Sequence, residues 1–148
     1  MIRENIYAEL FNILQGLTIG GKPAFKTISR QLQMWSDVNI ADTPALYIVQ
    51  RSELARVVQK LPTIWELKLS LYLYVNTGGD TTKTPSSIFN PLVDAIEDIL
   101  VPNPPALQEQ LLGGLVTYCR IDGEILTDEG VLGDWGVVII PIMILVPR

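Results

Sequence analysis

Between Trp65 and Asn76 the chain alternates without a break. Trp65, Leu67, Leu69, Leu71, Leu73 and Val75 share one parity, and Glu66, Lys68, Ser70, Tyr72, Tyr74 and Asn76 share the other. A two-residue period of this kind predicts a half-buried β-strand. At ~3.3 Å per residue the stretch runs roughly 40 Å, which crosses a domain whose radius of gyration is about 15 Å. A central sheet strand follows, with the rest of the chain packed on its apolar side.

The flanking patterns are of both kinds. Ile2, Ile6, Leu10, Ile13, Leu14 and Leu17 recur at three- and four-residue spacings, so Ile2–Leu17 is an amphipathic helix, ended by Gly16 and the Gly20-Gly21 pair. Ala24–Leu32 reads as a strand, Met34–Pro44 as a loop and Ala45–Gln50 as a short apolar strand. Ser52–Thr63 reads as a flexible excursion and Thr77–Pro85 as an exposed, mobile loop. Ile88, Leu92, Ile96, Ile99 and Leu100 stripe a second helix over Ser86–Leu100, with Asn90 capping its main start and Pro91 at the first position. Val101–Pro105, three of whose residues are proline, terminates it. Leu115–Thr127 and Trp135–Val146 are strands joined by the turn-rich Asp128–Asp134. Pro141 cannot donate to a ladder, so the last strand lies at an edge there or carries a bulge. The order predicts a single α+β domain over residues 1–148: a mainly antiparallel sheet with two amphipathic helices packed on one face.

Composition narrows the chemistry more than the fold. With 148 residues, 48% of them hydrophobic, the chain suffices for one sizeable core. No window has the pattern of a signal peptide, and the most apolar run, Val137–Val146, has half the length of a membrane span. A soluble intracellular product with no membrane partner is the expectation. Histidine is absent, which removes imidazole acid–base catalysis, Ser-His and Cys-His pairs and most zinc chemistry. The lone Cys119 excludes an intrachain disulfide and reads as a buried, inert thiol. Gly16–Lys22 fits part of a phosphate-binding loop, but Pro23 stands where Ser or Thr should hold magnesium, and the helix-then-strand context is reversed. Asp122, Glu124, Asp128, Glu129 and Asp134 form an acidic cluster without calcium-loop spacing. Solvated turn residues are its plain reading and a structural cation or a repulsive, acid-lined surface the alternative; a carboxylate-dependent enzyme or ligand-binding domain built on Asp122 or Glu124 is the second function class. No catalytic, cofactor-binding or metal site is assigned.

Charge is uneven along the chain. Lys22–Lys60 holds six basic and three acidic residues, whereas Asp94–Asp134 holds nine acids against Arg120 alone. The bases are too dispersed to mark a nucleic-acid surface. A subunit with one basic and one acidic side suits head-to-tail contact with its own copy, and a merely solvated surface is the alternative.

Several segments together resemble the tail-terminator (tail-completion) proteins of tailed bacteriophages and their relatives among minor tail and neck components. They are Ser29-Arg30 with Met34-Trp35-Ser36-Asp37, Pro44–Tyr47, Leu71–Val75, Asn90–Glu97, Gly113–Val116 with Cys119-Arg120-Ile121, and Thr127–Asp134. The resemblance spans nearly the full length. It implies a non-enzymatic virion protein of the tail or neck, assembled in the host cytoplasm. Copies would form a ring, usually of six, that caps the tail tube, meets a head-side connector or stopper protein, and passes DNA without binding it specifically. A connector or stopper of the neck is the neighbouring alternative. The acidic cluster Asp122, Glu124, Asp128, Glu129 and Asp134 would then line a lumen that repels DNA. Glu66, Lys68, Tyr72 and Tyr74 on the polar strand face would form a subunit or partner contact, with Tyr72 and Tyr74 lying under a helix as core the equal alternative. Arg51, Arg56, Asp80 and Lys83, in or beside the two excursions, would belong to arms that reach neighbours.

Overall fold

The alternating segment is the middle of a mixed six-stranded sheet. The computed structural model describes residues 1–100, 110 and 112–147. In chain order the elements are α1 (Arg3–Gln15), β1 (Thr18–Ile19), β2 (Lys22–Pro23), β3 (Thr27–Ser29), β4 (Ala45–Arg56), β5 (Ile64–Asn76), α2 (Pro85–Leu100), β6 (Tyr118–Ile121), β7 (Leu126–Gly130) and β8 (Gly133–Pro147). The large sheet runs β3-β4-β5-β8, with β6 and β7 sharing the outer edge of β8. β3 and β4 are parallel; the other pairs are antiparallel.

The period-two pattern does what it predicts. Leu67, Leu69, Leu71, Leu73 and Val75 of β5 are all buried, beside Leu46 and Ile48 of β4 and Val138, Ile140, Ile142 and Ile144 of β8. Both helices cover this face, α1 through Ile6, Tyr7, Leu10 and Leu14, and α2 through Phe89, Leu92, Ile96 and Leu100. The architecture is thus α+β, a mainly antiparallel sheet with two helices on one face.

Several boundaries differ from the sequence expectation, each for a local reason. The Ala24–Leu32 strand shrinks to the three residues of β3, paired with Ala45–Tyr47. Gly20 and Gly21 have φ of 60° and 78° and turn a two-residue hairpin between β1 and β2, as a type I′ connection requires. They are not helix-stop glycines; Gly16 alone closes α1. α2 begins at Pro85 rather than Pro91. Thr84 Oγ1 accepts from the Ser87 backbone N–H at 3.2 Å, while Ser87 Oγ accepts from the Thr84 N–H at 3.1 Å. This reciprocal cap, with Pro85 at the first helical position, outcompetes the Asn90-Pro91 signal, and Pro91 sits exposed inside the helix. The Val101–Pro105 terminator lies outside the described residues.

Ser52–Thr63 is not one loose excursion. Ser52–Arg56 continues β4, paired with Ile64–Lys68 of β5 past a bulge between Gln50 and Ser52. Leu115–Thr127 is two strands rather than one, β6 and β7, and Asp128–Gly130 belongs to β7 rather than to a turn.

Pro141 explains that break. β8 lies inside the sheet, not at its edge, and pairs with β5 along Trp135–Pro147. The Pro141 carbonyl accepts from the Asp122 N–H at 3.1 Å, so its imino nitrogen also faces the β6–β7 side. The missing donor falls where that edge is interrupted between Ile121 and Leu126, and the β5–β8 ladder is untouched. Four residues, Asp122–Ile125, stand between the rungs Ile121–Ile142 and Leu126–Ile139, where β8 has only Ile140 and Pro141, so β8 has no ladder partner on that side at Pro141. Gly123, at φ 123°, lies over the ring; a Cβ there would stand 3.2 Å from Pro141 Cγ.

The second sheet face is not simply polar. Two 3-10 turns, Trp35–Asp37 and Ile40–Asp42, fold across one end of it. There Val38, Ala45, Tyr47 and Tyr74 are buried beneath Trp35, Trp135 and Val137. Trp35 meets Trp135 edge to face at 5.7 Å.

Candidate functional site

The residues expected to form one contact surface separate into three environments. Tyr74 is buried: its hydroxyl donates to the Gln33 carbonyl at 2.8 Å, and its ring packs on Tyr47 at 5.5 Å. Burial, then the neighbouring Tyr47, pushes its hydroxyl pKa up. It belongs to the small second core, not to an interface. Glu66 is also buried, its Oε1 2.7 Å from Arg56 Nε. Tyr72 is half-buried and accepts a hydrogen bond from Arg51, whose guanidinium lies 5.2 Å over the ring and whose Nε donates to Ser70 Oγ at 3.2 Å. Of the strand residues expected at a contact, Lys68 alone is exposed. It borders a groove of about 430 Å³ with Arg51, Ser70, Asp122 and Met143.

Asp80 and Lys83 are exposed in the loop between β5 and α2, which is built of successive turns rather than open chain: Asp80 N–H donates to Thr77 O and Lys83 N–H to Asp80 O, each at 3.2 Å. Asp80 accepts from the Thr82 hydroxyl at 2.6 Å and its N–H at 2.9 Å, which holds the carboxyl pKa below its usual value. Thr77 anchors the loop to β8 through a 3.0 Å bond to Asp134 O.

The five acids do not converge. Asp122 lies at the break opposite Pro141, 3.7 Å from Arg120, and Glu124 is exposed within the break. Register places Asp128 opposite Val137 and Glu129 opposite Gly136, hence on opposite faces of the sheet, and Asp134 is exposed at the start of β8. Among the described residues no group of three or more carboxylates or thiols could hold a metal ion. Glu124 does not line the groove that Asp122 borders. Cys119 is fully buried, and burial pushes its thiol up to about 12.

Two features that the residue pattern hid now stand out. From Gln50 through Pro62 every residue is exposed, including Leu54 (49%), Val57 (76%), Val58 (51%) and Leu61 (63%). This β4–β5 arm carries apolar side chains that its own fold leaves in water. The other is the second face of β8, where Val137, Ile139, Pro141, Met143 and Leu145 are only half-buried. The near-continuous apolar run of β8 was the available signal, because such runs mark strands covered on both faces. At the Trp35 end this face forms a notch of about 210 Å³ lined by Trp35, Leu126, Leu132, Val137, Ile139 and Asp128.

No family model and no curated protein matches the chain. One solved structure without a functional description overlaps all of this chain and 96% of its own length, at 15% identity and a TM-score of 0.48. What the geometry itself defines is an α+β fold with exposed apolar groups on the β4–β5 arm and a half-covered sheet face, besides single exposed apolar residues such as Ile2, Met34 and Val131 elsewhere. No helix among the described residues is long and apolar enough to cross a membrane.

Proposed function

We propose that this chain is a structural virion protein, a tail terminator whose copies close into a ring, capping the head-proximal end of a phage tail tube and joining it to the neck. The observation that carries this function is the arm: Leu54 on the uncovered outer half of β4, and Val57, Val58 and Leu61 in the connection to β5, all stand exposed. Clustered exposed apolar side chains mark a protein contact. Support also comes from the segments Met34–Asp37 and Thr127–Asp134, whose likeness to tail-terminator proteins falls on the 3-10 turn and the β7–β8 hairpin that build the notch. In such a ring the exposed hairpin acids Glu129 and Asp134 repel DNA and let it pass.

The test is to image the purified chain, alone and with isolated tail tubes, by negative stain, and to weigh it by native mass spectrometry. A closed ring with a central channel, or a cap at one tube end, is expected. Rings that bind the head-side connector but never a tube end would move the protein to the neck as a connector or stopper. A chain that stays monomeric at high concentration and binds no tube would overturn the function.

A further inference from the structure

We infer that the β4–β5 arm of one copy docks head-to-tail on the Trp35–Asp128 notch of a second copy, with Lys60 of the arm reaching the Asp128 carboxylate. The inference rests on the self-assembling function above and assigns its contact.

Asp128 supplies the first reason. Its Oδ1 is buried and has no hydrogen-bond partner, and the notch walls around it are the side chains of Trp35, Leu126, Val137 and Ile139. A buried acceptor left unmade is costly. At about 210 Å³ the notch is smaller than the ~300–1,000 Å³ of small-molecule sites. A lysine fits its chemistry, since the methylene stem covers apolar walls while the ammonium donates at the end.

The arm carries such a lysine. Lys60 lies in the exposed turn between Arg56 and Ile64, with Val57, Val58 and Leu61 close in sequence. The neighbouring cations are engaged within the chain, Arg56 by Glu66 and Arg51 by Ser70 and Tyr72. Lys60 makes no ion pair with a described residue. The partner surface is of opposite sign: Leu126–Pro147 contains Asp128, Glu129 and Asp134 and no basic residue, whereas Gln50–Lys68 carries Arg51, Arg56, Lys60 and Lys68 against Glu53 and Glu66.

Geometry excludes contact within one chain. Arg56 pairs with Ile64 at one end of β5, and Asp128 lies across Val137 from Tyr74 near the other. From Ile64 to Tyr74 the strand rises roughly 33 Å at ~3.3 Å per residue. An arm pointing away from its own notch reaches only the notch of another copy. Two different patches meeting in this way make a heterologous contact, the kind that closes into rings.

The test uses the full chain in two single-cysteine additions, Lys60→Cys and Asp128→Cys; buried Cys119 stays silent. After mixing, a short thiol-reactive bismaleimide, which replaces the span of the extended lysine stem that a direct disulfide cannot bridge, is expected to link the two variants into a dimer, with no comparable product from either alone. Lys60→Glu should weaken self-association at least about tenfold, and adding Asp128→Lys to it should restore binding. Val57→Asp, at an exposed position that folding does not use, should give a similar loss with an unchanged melting curve. Rings that form with wild-type affinity in Lys60→Glu, or linkage of Lys60→Cys to itself, would overturn this contact and leave the ring function standing. A chain that never assembles, even on tubes, would overturn both.

Discussion

Gly136 is where the first turn of α2 meets the sheet. A Cβ at this position would stand 2.7 Å from Pro85 Cβ and 3.0 Å from both Phe89 Cδ2 and Val75 Cγ2. The close approach sets the tilt of α2 and needs a residue without a side chain, even though the backbone is ordinary strand. Gly136→Ala should therefore destabilise the fold by ~1–3 kcal/mol through overpacking. A lower urea midpoint with an unchanged m-value is the expected result; an unchanged midpoint would mean that α2 shifts freely. Tyr72 and Tyr74 differ in the same local way. They share a parity and a strand face, yet one is covered by the Trp35–Asp42 segment and the other stacks beneath Arg51. Parity places a side chain on a face; the neighbouring segments decide whether that face is wet.

Among the elements, α2 shows how two similar start signals are resolved. Thr84-Pro85 and Asn90-Pro91 both pair a capping residue with a proline. The first prevails because Ser87 completes a reciprocal pair of bonds with Thr84, and because the added turn buries Phe89 against the sheet. Removing the Thr84 hydroxyl in Thr84→Ala should cost ~1 kcal/mol. Thermal melts would register this as a lower Tm, and amide exchange would rise first at Ser86–Ile88. An unaltered Tm would return the start of the helix to Asn90. β8 poses the complementary case: its proline is tolerated in the sheet interior because Asp122–Ile125 detours around the position where a donor is missing.

For the whole molecule the decisive property is the separation of charge along the long strand. Basic residues gather near the arm at one end of β5, and the acidic β7–β8 hairpin lies toward the other. Association through these ends should weaken as salt rises, since the Debye length falls from about 10 Å at 0.1 M to about 3 Å at 1 M. Sedimentation velocity across that range should show assembled species giving way to monomer. Assembly that strengthens with salt would point instead to a contact dominated by the apolar half of β8.

What the residue order determined by itself is whatever depends on local periodicity. The span of β5, the helical stripes of α1 and α2, the α+β class and the inert, buried Cys119 all follow from spacing and residue type, because burial of one face imposes that spacing directly. The tertiary structure alone decided what depends on partners distant in sequence. It split the expected β6–β7 strand around Pro141, drew β4 out into an arm beyond Gln50, and moved Tyr74 and Glu66 from the surface into contacts with Gln33 and Arg56. It also aimed Asp128 into an apolar notch. Alternation records which face of a strand a residue occupies. It holds no record of which segment crosses that face, because this is set by the closure of loops joining residues far apart in the chain.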